Sequence, residues 1–361
     1  MTGPREILII KLSAIGDVVH ALPFLDVLGR RFPEAHIDWI VEDAAYPIVE
    51  GHPRLRRILV SHRKHWLTAR PWRRGSAGLA AEAVRFVREL RARTYDLVVD
   101  LQGLLKSGIL AGICRGRRKV GMSGSREGAR AFLTERPVPV DYEQHAIERY
   151  LQVAEYLGCR VAQWSGRIPL PDGVGAAVEP LIEAESRERP LVAVNPMARW
   201  DTKLWDPNGF VEVARRLQEE MQCRVVFTGS GLDRRMLEDL NSRLKRPALN
   251  LAGRTTLKEL AYLYSRCAVL LTTDTGPMHI AAAMGCPVVA LFGPTAPWRT
   301  GPYGAGHRVV RVDIECAPCF KKACEHLTCM KSITVDAVVE AVESVLEAGA
   351  TDSTNRLEGE S

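Results

Sequence analysis

At 361 residues and 40.0 kDa the chain is more than twice a common domain length, which favours two domains of ordinary size over one large core. Its 46% hydrophobic and 25% charged content is that of an ordinary globular protein and excludes a disordered, collagen-like or disulfide-scaffold chain. No apolar run approaches the ~18 residues of a spanning helix, and the opening Met-Thr-Gly-Pro-Arg-Glu leads into a short strand-like run and not a signal-peptide core, so the cytoplasm is the expected compartment. The net charge of +6 is unevenly spread, with 27 Lys/Arg against 19 Asp/Glu in residues 1–175 and 22 against 24 in the remainder. The first half is built to meet anions.

Short β-branched runs alternate with amphipathic stretches throughout, the pattern of repeated βα units and of parallel sheets covered on both faces. In the first half strands are predicted at Glu6–Lys11, Ile37–Glu42, Arg57–Val60, Asp96–Leu101 and Lys119–Met122, with helices clearest at Gly78–Arg93 and Glu143–Leu157. Two prolines and two glycines in Arg167–Gly175 then break the periodicity and mark a connector. The expected domains are residues 1–172 and 173–333. The second repeats the pattern with strands at Leu191–Asn195, Arg224–Thr228, Leu249–Leu251, Val269–Thr273 and Pro287–Phe292 and a helix at Pro207–Met221. Residues 334–348 read as a closing helix, and 349–361 as a disordered polar tail. Two consecutive doubly wound domains of this α/β kind bind ligands at the carboxyl ends of their strands, so the active site is expected in a cleft between them.

Three elements carry candidate chemistry. After the first strand, Gly16 is expected to let the backbone turn and Asp17 to stand at a helix start; position alone leaves open a helix cap worth about 1 kcal/mol and a carboxylate base facing the cleft. In Leu270–His279 a strand, a Thr-Asp-Thr-Gly turn and a helix opening near Pro277 make an anion site suited to a diphosphate, with His279 following. Asn195–Trp205 follows the first strand of the second half and brings Arg199 and Lys203 near the same strand ends, where a lysine would offset charge developing on a phosphate leaving group. Read from position, Lys203 is equally a solvated loop lysine.

Between Gly51 and Ala81 there is no Asp or Glu, while Arg54, Arg56, Arg57, Arg63, Lys64, Arg70, Arg73 and Arg74 lie among Trp66, Leu67 and Trp72; Arg115, Arg117, Arg118, Lys119 and Arg126 form a second basic group. Such patches suit a phosphorylated substrate or an anionic membrane surface; no stacking or groove-reading motif points to nucleic acid. The nine cysteines, an odd number, read as reduced thiols. Four of them, Cys316, Cys319, Cys324 and Cys329, crowd within fourteen residues around His326, a spacing that admits a structural zinc site but lacks paired knuckles, so unliganded thiols are the favoured reading.

Taken together, Ile7–Pro23, Ile37–Glu42, Asp100–Lys106, His145–Arg149, Thr202–Trp205 and Thr273–His279 make the chain resemble the lipopolysaccharide heptosyltransferases of glycosyltransferase family 9, the type I branch most of all. The resemblance implies a GT-B fold, two Rossmann-like doubly wound domains facing each other across a cleft. It implies inverting transfer of L-glycero-D-manno-heptose from ADP-heptose to a Kdo residue of Kdo-lipid A by a monomer peripheral to the cytoplasmic face of the inner membrane. It makes Asp17 the general base, and Lys203 a catalytic residue that holds the donor with Asp274. Thr275, Gly276, Pro277, His279, Arg199 and Asp233 fall on the donor side, and Arg63, Lys64, Arg126 and His145 on the acceptor side. No cofactor or catalytic metal is required, and no metal-binding Asp-x-Asp motif is present. Asp233 stands where close relatives have a glutamate, and Ala198-Arg199 where some have threonines. The cysteine group is more like that of type II members, which leaves a later core heptose as the alternative product and a non-catalytic nucleotide-sugar binder as the rival of another class.

Overall fold

The computed structural model describes residues 3–68, 76–183 and 189–358; Arg70, Trp72, Arg73 and Arg74 of the basic tract lie outside them. The chain divides into two units between Pro169 and Leu170, inside the proline- and glycine-rich connector. In the first unit β1 (Glu6–Ile10), β2 (His36–Glu42), β3 (Leu55–Ser61), β4 (Thr94–Asp100) and β5 (Arg115–Gly121) form a wholly parallel sheet in the order β3-β2-β1-β4-β5. β1 is central and buried on both faces, which is why it reads as an unbroken apolar run; Ile9 pairs with Trp39 on one side and Val99 on the other. β5 begins at Arg115, four residues before the predicted start, because its first half is a charged edge whose side chains point to solvent and carry no apolar signal.

The second unit repeats the plan with β6 (Leu191–Asn195), β7 (Arg224–Phe227), β8 (Leu249–Asn250), β9 (Val269–Thr273), β10 (Val288–Leu291) and β11 (Arg308–Val310), parallel in the order β11-β10-β9-β6-β7-β8. The three-residue edge strand β11 was not predicted, since it is too short and too exposed to show a period. Each sheet is doubly wound, and strand order reverses between β1 and β4 in one and between β6 and β9 in the other. In open parallel sheets ligands generally bind at loops leaving strands on either side of such a reversal.

Phe210, Leu217, Phe227 and Leu237 pack the second core together with Val338, Val339, Val342 and Val345 of the last helix. That helix runs Val335–Glu358 and so continues through the stretch expected to be a tail beyond 348. A single Gly349 costs about 1 kcal/mol in a helix interior, which does not suffice to end one already anchored by buried valines. Among the described residues no helix is long and apolar enough to cross a membrane.

Candidate active site

In the first unit β1 ends at Ile10 and a short loop leads to the helix Ile15–Val19. Asp17 is the third residue of that helix and not its cap; its Oδ2 accepts the N–H of Ala14 at 2.9 Å, so the carboxylate ties down the residue that precedes the helix. Gly16 lies buried inside the same helix and is not among the glycines with positive φ, so the turn does not depend on its conformational freedom. The loop is held from β4 instead. Gln102 Oε1 accepts the N–H groups of Leu12 and Ser13, each at 3.1 Å, and Asp100 shapes the Gln102 turn by accepting the Gln102 and Gly103 N–H groups.

Lys11, at the end of β1, is buried with its ammonium 5.1 Å from the Tyr150 ring centre. Burial works to neutralise it, but Tyr150, Asp17 and Asp100 outweigh that and raise its pKa, so a fixed positive charge stands within electrostatic reach of Asp17. His145 caps the helix Ala146–Tyr156 through Nδ1, which accepts from Ile147 N–H at 3.2 Å. Its ring packs edge-on against His20, 4.9 Å away, at the end of the Asp17 helix.

A second cluster forms at the end of β2. Glu42 is 2% exposed, and Arg63, Lys64 and Lys106 reach it at 3.2, 3.3 and 3.2 Å. Burial alone would raise the Glu42 carboxyl, but Lys106, Arg63 and Lys64 prevail and lower it. Lys106 also donates to Ser13 Oγ at 2.7 Å, which connects the cation cluster to the loop before Asp17. Three cations on one carboxylate leave an excess of positive charge. Arg126 is exposed outside this group, its N–H bonded to the Gly103 carbonyl at 2.8 Å. The sequence reading did not single out Glu42, Lys106, Gln102 or Lys11, although the resemblance segments Ile7–Pro23, Ile37–Glu42 and Asp100–Lys106 contain all four.

In the second unit Lys203 ends a single turn, Asp201–Lys203, and its Nζ lies 2.6 Å from Asp274 Oδ2. Thr295, in the loop after β10, donates to the same oxygen at 2.6 Å. Asp274 is thereby buried as a paired carboxylate at the end of β9, immediately before the helix Gly276–Ala283. Thr275 occupies the N-cap with no side-chain bond to the helix, its carbonyl accepting the Met278 N–H at 3.2 Å, and Gly276 and Pro277 open the helix, so its positive end lies beside the Lys203–Asp274 pair. His279 is buried in that first turn. Arg199 is exposed next to Trp200, whose ring centre lies 4.6 Å from Lys203 Nζ.

Asp233 precedes the helix Arg234–Ser242, and its Oδ2 is taken by Ser230 N–H and Oγ at 2.7 and 2.6 Å, which makes it a turn-forming residue in this state. Gly253, at φ +65, lies so close to this loop that a Cβ there would come 2.4 Å from Gly231 Cα. Cys316, Cys319, Cys324 and Cys329 all line one cavity of about 40 Å³ with His326, and all four are free thiols. Among the described residues no three His, Cys, Asp or Glu side chains are arranged to hold a metal ion.

The model of glycosyltransferase family 9 (heptosyltransferase) matches residues 83–329. Lipopolysaccharide heptosyltransferase 1 of Pseudomonas aeruginosa is 32% identical over 334 residues, covering 89% of this chain and 88% of that protein. Among solved structures, a family 9 glycosyl transferase from Veillonella parvula superposes with a TM-score of 0.81 at 25% identity, over 95% of this chain and 98% of that one. The E. coli heptosyltransferase WaaC with ADP superposes at 0.76 with 26% identity, over 94% and 99%.

Proposed function

The chain belongs to glycosyltransferase family 9, the heptosyltransferases, and from that membership we propose that it moves L-glycero-D-manno-heptose from ADP-heptose to a Kdo residue of Kdo-lipid A. The observation that supports this reading is the Lys203–Asp274 pair at 2.6 Å beside the start of the Gly276–Ala283 helix, a lysine and a helix dipole at a strand-order reversal, the kind of place that suits a diphosphate. In the proposed step the acceptor hydroxyl oxygen attacks the anomeric carbon, its proton passes to Asp17, and the bond to the diphosphate breaks with its electron pair leaving on ADP. One displacement inverts the configuration. Lys203 and the helix end stabilise the departing phosphate charge without a metal ion.

On this reading His145 and the cations Arg63, Lys64 and Arg126 serve the phosphorylated lipid acceptor. Thr275, Gly276, Pro277, His279, Arg199 and Asp233 serve the donor, Asp233 after letting go of Ser230. The acceptor's nature brings the protein to the cytoplasmic face of the inner membrane, as a monomer. Incubation with ADP-heptose and Kdo-lipid A tests the proposal: ADP release together with a heptose mass increment on the lipid is expected. Transfer only to an acceptor that already carries one heptose would move the assignment to a later core step. ADP binding with no product from either acceptor would favour a non-catalytic binder.

A further inference from the structure

The segment Cys316–Cys329 has no part in the reaction proposed above, yet it is fastened beside the Lys203 turn. Thr202 Oγ1 donates to the Lys321 carbonyl at 2.9 Å. Phe320 N–H donates to the Pro294 carbonyl at 2.7 Å, next to the Thr295 that holds Asp274. Fastened this way, the segment sets the Lys322 ammonium 5.1 Å from the centre of the Trp200 indole, the ring that Lys203 approaches at 4.6 Å. Two ammonium groups therefore share one aromatic side chain.

Charge decides what that pair can do. Lys203 is neutralised by Asp274, so together they offer a diphosphate a hydrogen-bond donor but no net charge. Lys322 is exposed and, among the described residues, forms no ion pair. Two cations brought to one indole repel each other, and the negative ring face offsets only part of that. A multiply charged anion beside both would turn the repulsion into attraction. We propose that Lys322 is a second cationic ligand of the nucleoside diphosphate, supplying the net positive charge that the Lys203–Asp274 pair lacks, with Trp200 positioning both lysines. This rests on the donor-site reading above, and assigns the cysteine-bearing segment the task of delivering that lysine.

The test uses ADP as probe and calorimetry on the full chain. Lys322→Ala should weaken ADP binding roughly five- to twentyfold, as for loss of one charge-assisted contact, with the melting temperature unchanged because the side chain is exposed. Lys322→Arg should restore most of the affinity, and the salt dependence of ADP binding should be shallower for the Ala variant than for the native chain. Lys203→Ala is measured alongside. If it weakens ADP binding while Lys322→Ala does not, the Lys322 proposal falls and the donor-site reading stands; if neither variant alters ADP affinity, both fall.

Discussion

Asp17 has two oxygens and two tasks. Oδ2 accepts the Ala14 N–H, which is a structural role, and the proposed proton transfer is a chemical one. Asn can accept the same N–H, so Asp17→Asn should lower the melting temperature only modestly, through the lost attraction to buried Lys11, while turnover falls roughly 10²–10⁴-fold, since Asn cannot take the acceptor's proton. A folded variant that transfers heptose at near native rate would leave Asp17 only its structural role. Glu42 makes a different kind of prediction. Its folded-state pKa is lowered, so its stabilisation is present above the unfolded value of about 4.3 and is lost as pH falls through the folded value. Glu42→Gln should therefore lower stability at neutral pH by about 1–3 kcal/mol and flatten the loss of stability on acidification. Denaturant titrations of both proteins from neutral pH into acid measure this, and parallel curves would show that the three cations do not depend on Glu42.

Among the elements, the closing helix departs from local expectation by running through the expected tail, and the cysteine segment gathers four thiols at one cavity. Burial raises the Cys329 thiol, and the neighbouring Cys319, Cys316 and Cys324 raise it further. The spacing of the four lacks the paired knuckles of a structural zinc site, so unliganded thiols remain the expectation. Anaerobically purified protein should accordingly contain no stoichiometric metal, and a chelator should leave its melting temperature unaltered. Elemental analysis finding about one metal ion per chain, with a chelator-induced fall in melting temperature, would overturn that. The closing helix is held by tertiary contact along its first half, where Val338, Val339, Val342 and Val345 enter the second core. Once nucleated there, it extends past Gly349 because adding a residue to an existing helix is far easier than starting one.

Over the whole molecule, positive charge belongs to the first unit and the Lys203–Asp274 pair to the second. Replacing Arg63, Lys64 and Arg126 by Ala should raise the acceptor KM and leave ADP-heptose affinity nearly unchanged, with steady-state kinetics and calorimetry as the two readouts. A fall in donor affinity instead would reverse the assignment of substrates to units. The local sequence determined the alternation of strands and helices, because a strand buried on both faces must be apolar throughout and its covering helix must be amphipathic. Position alone left Asp17 a possible cap and Lys203 a possible loop lysine; the family resemblance singled out these two and Asp274 as site candidates. The rest was decided by tertiary structure. Strand order sets the two reversal points, Glu42 gathers cations from two different helices, Thr295 joins Lys203 on one Asp274 oxygen, and Trp200 faces lysines more than a hundred residues apart in the chain. None of these has a local period or a short spacing to betray it. Each exists only because parallel crossovers bring the ends of distant strands side by side, and the same crossovers leave the charged start of β5 and the short β11 at sheet edges, where solvent removes the apolar pattern by which a strand is read.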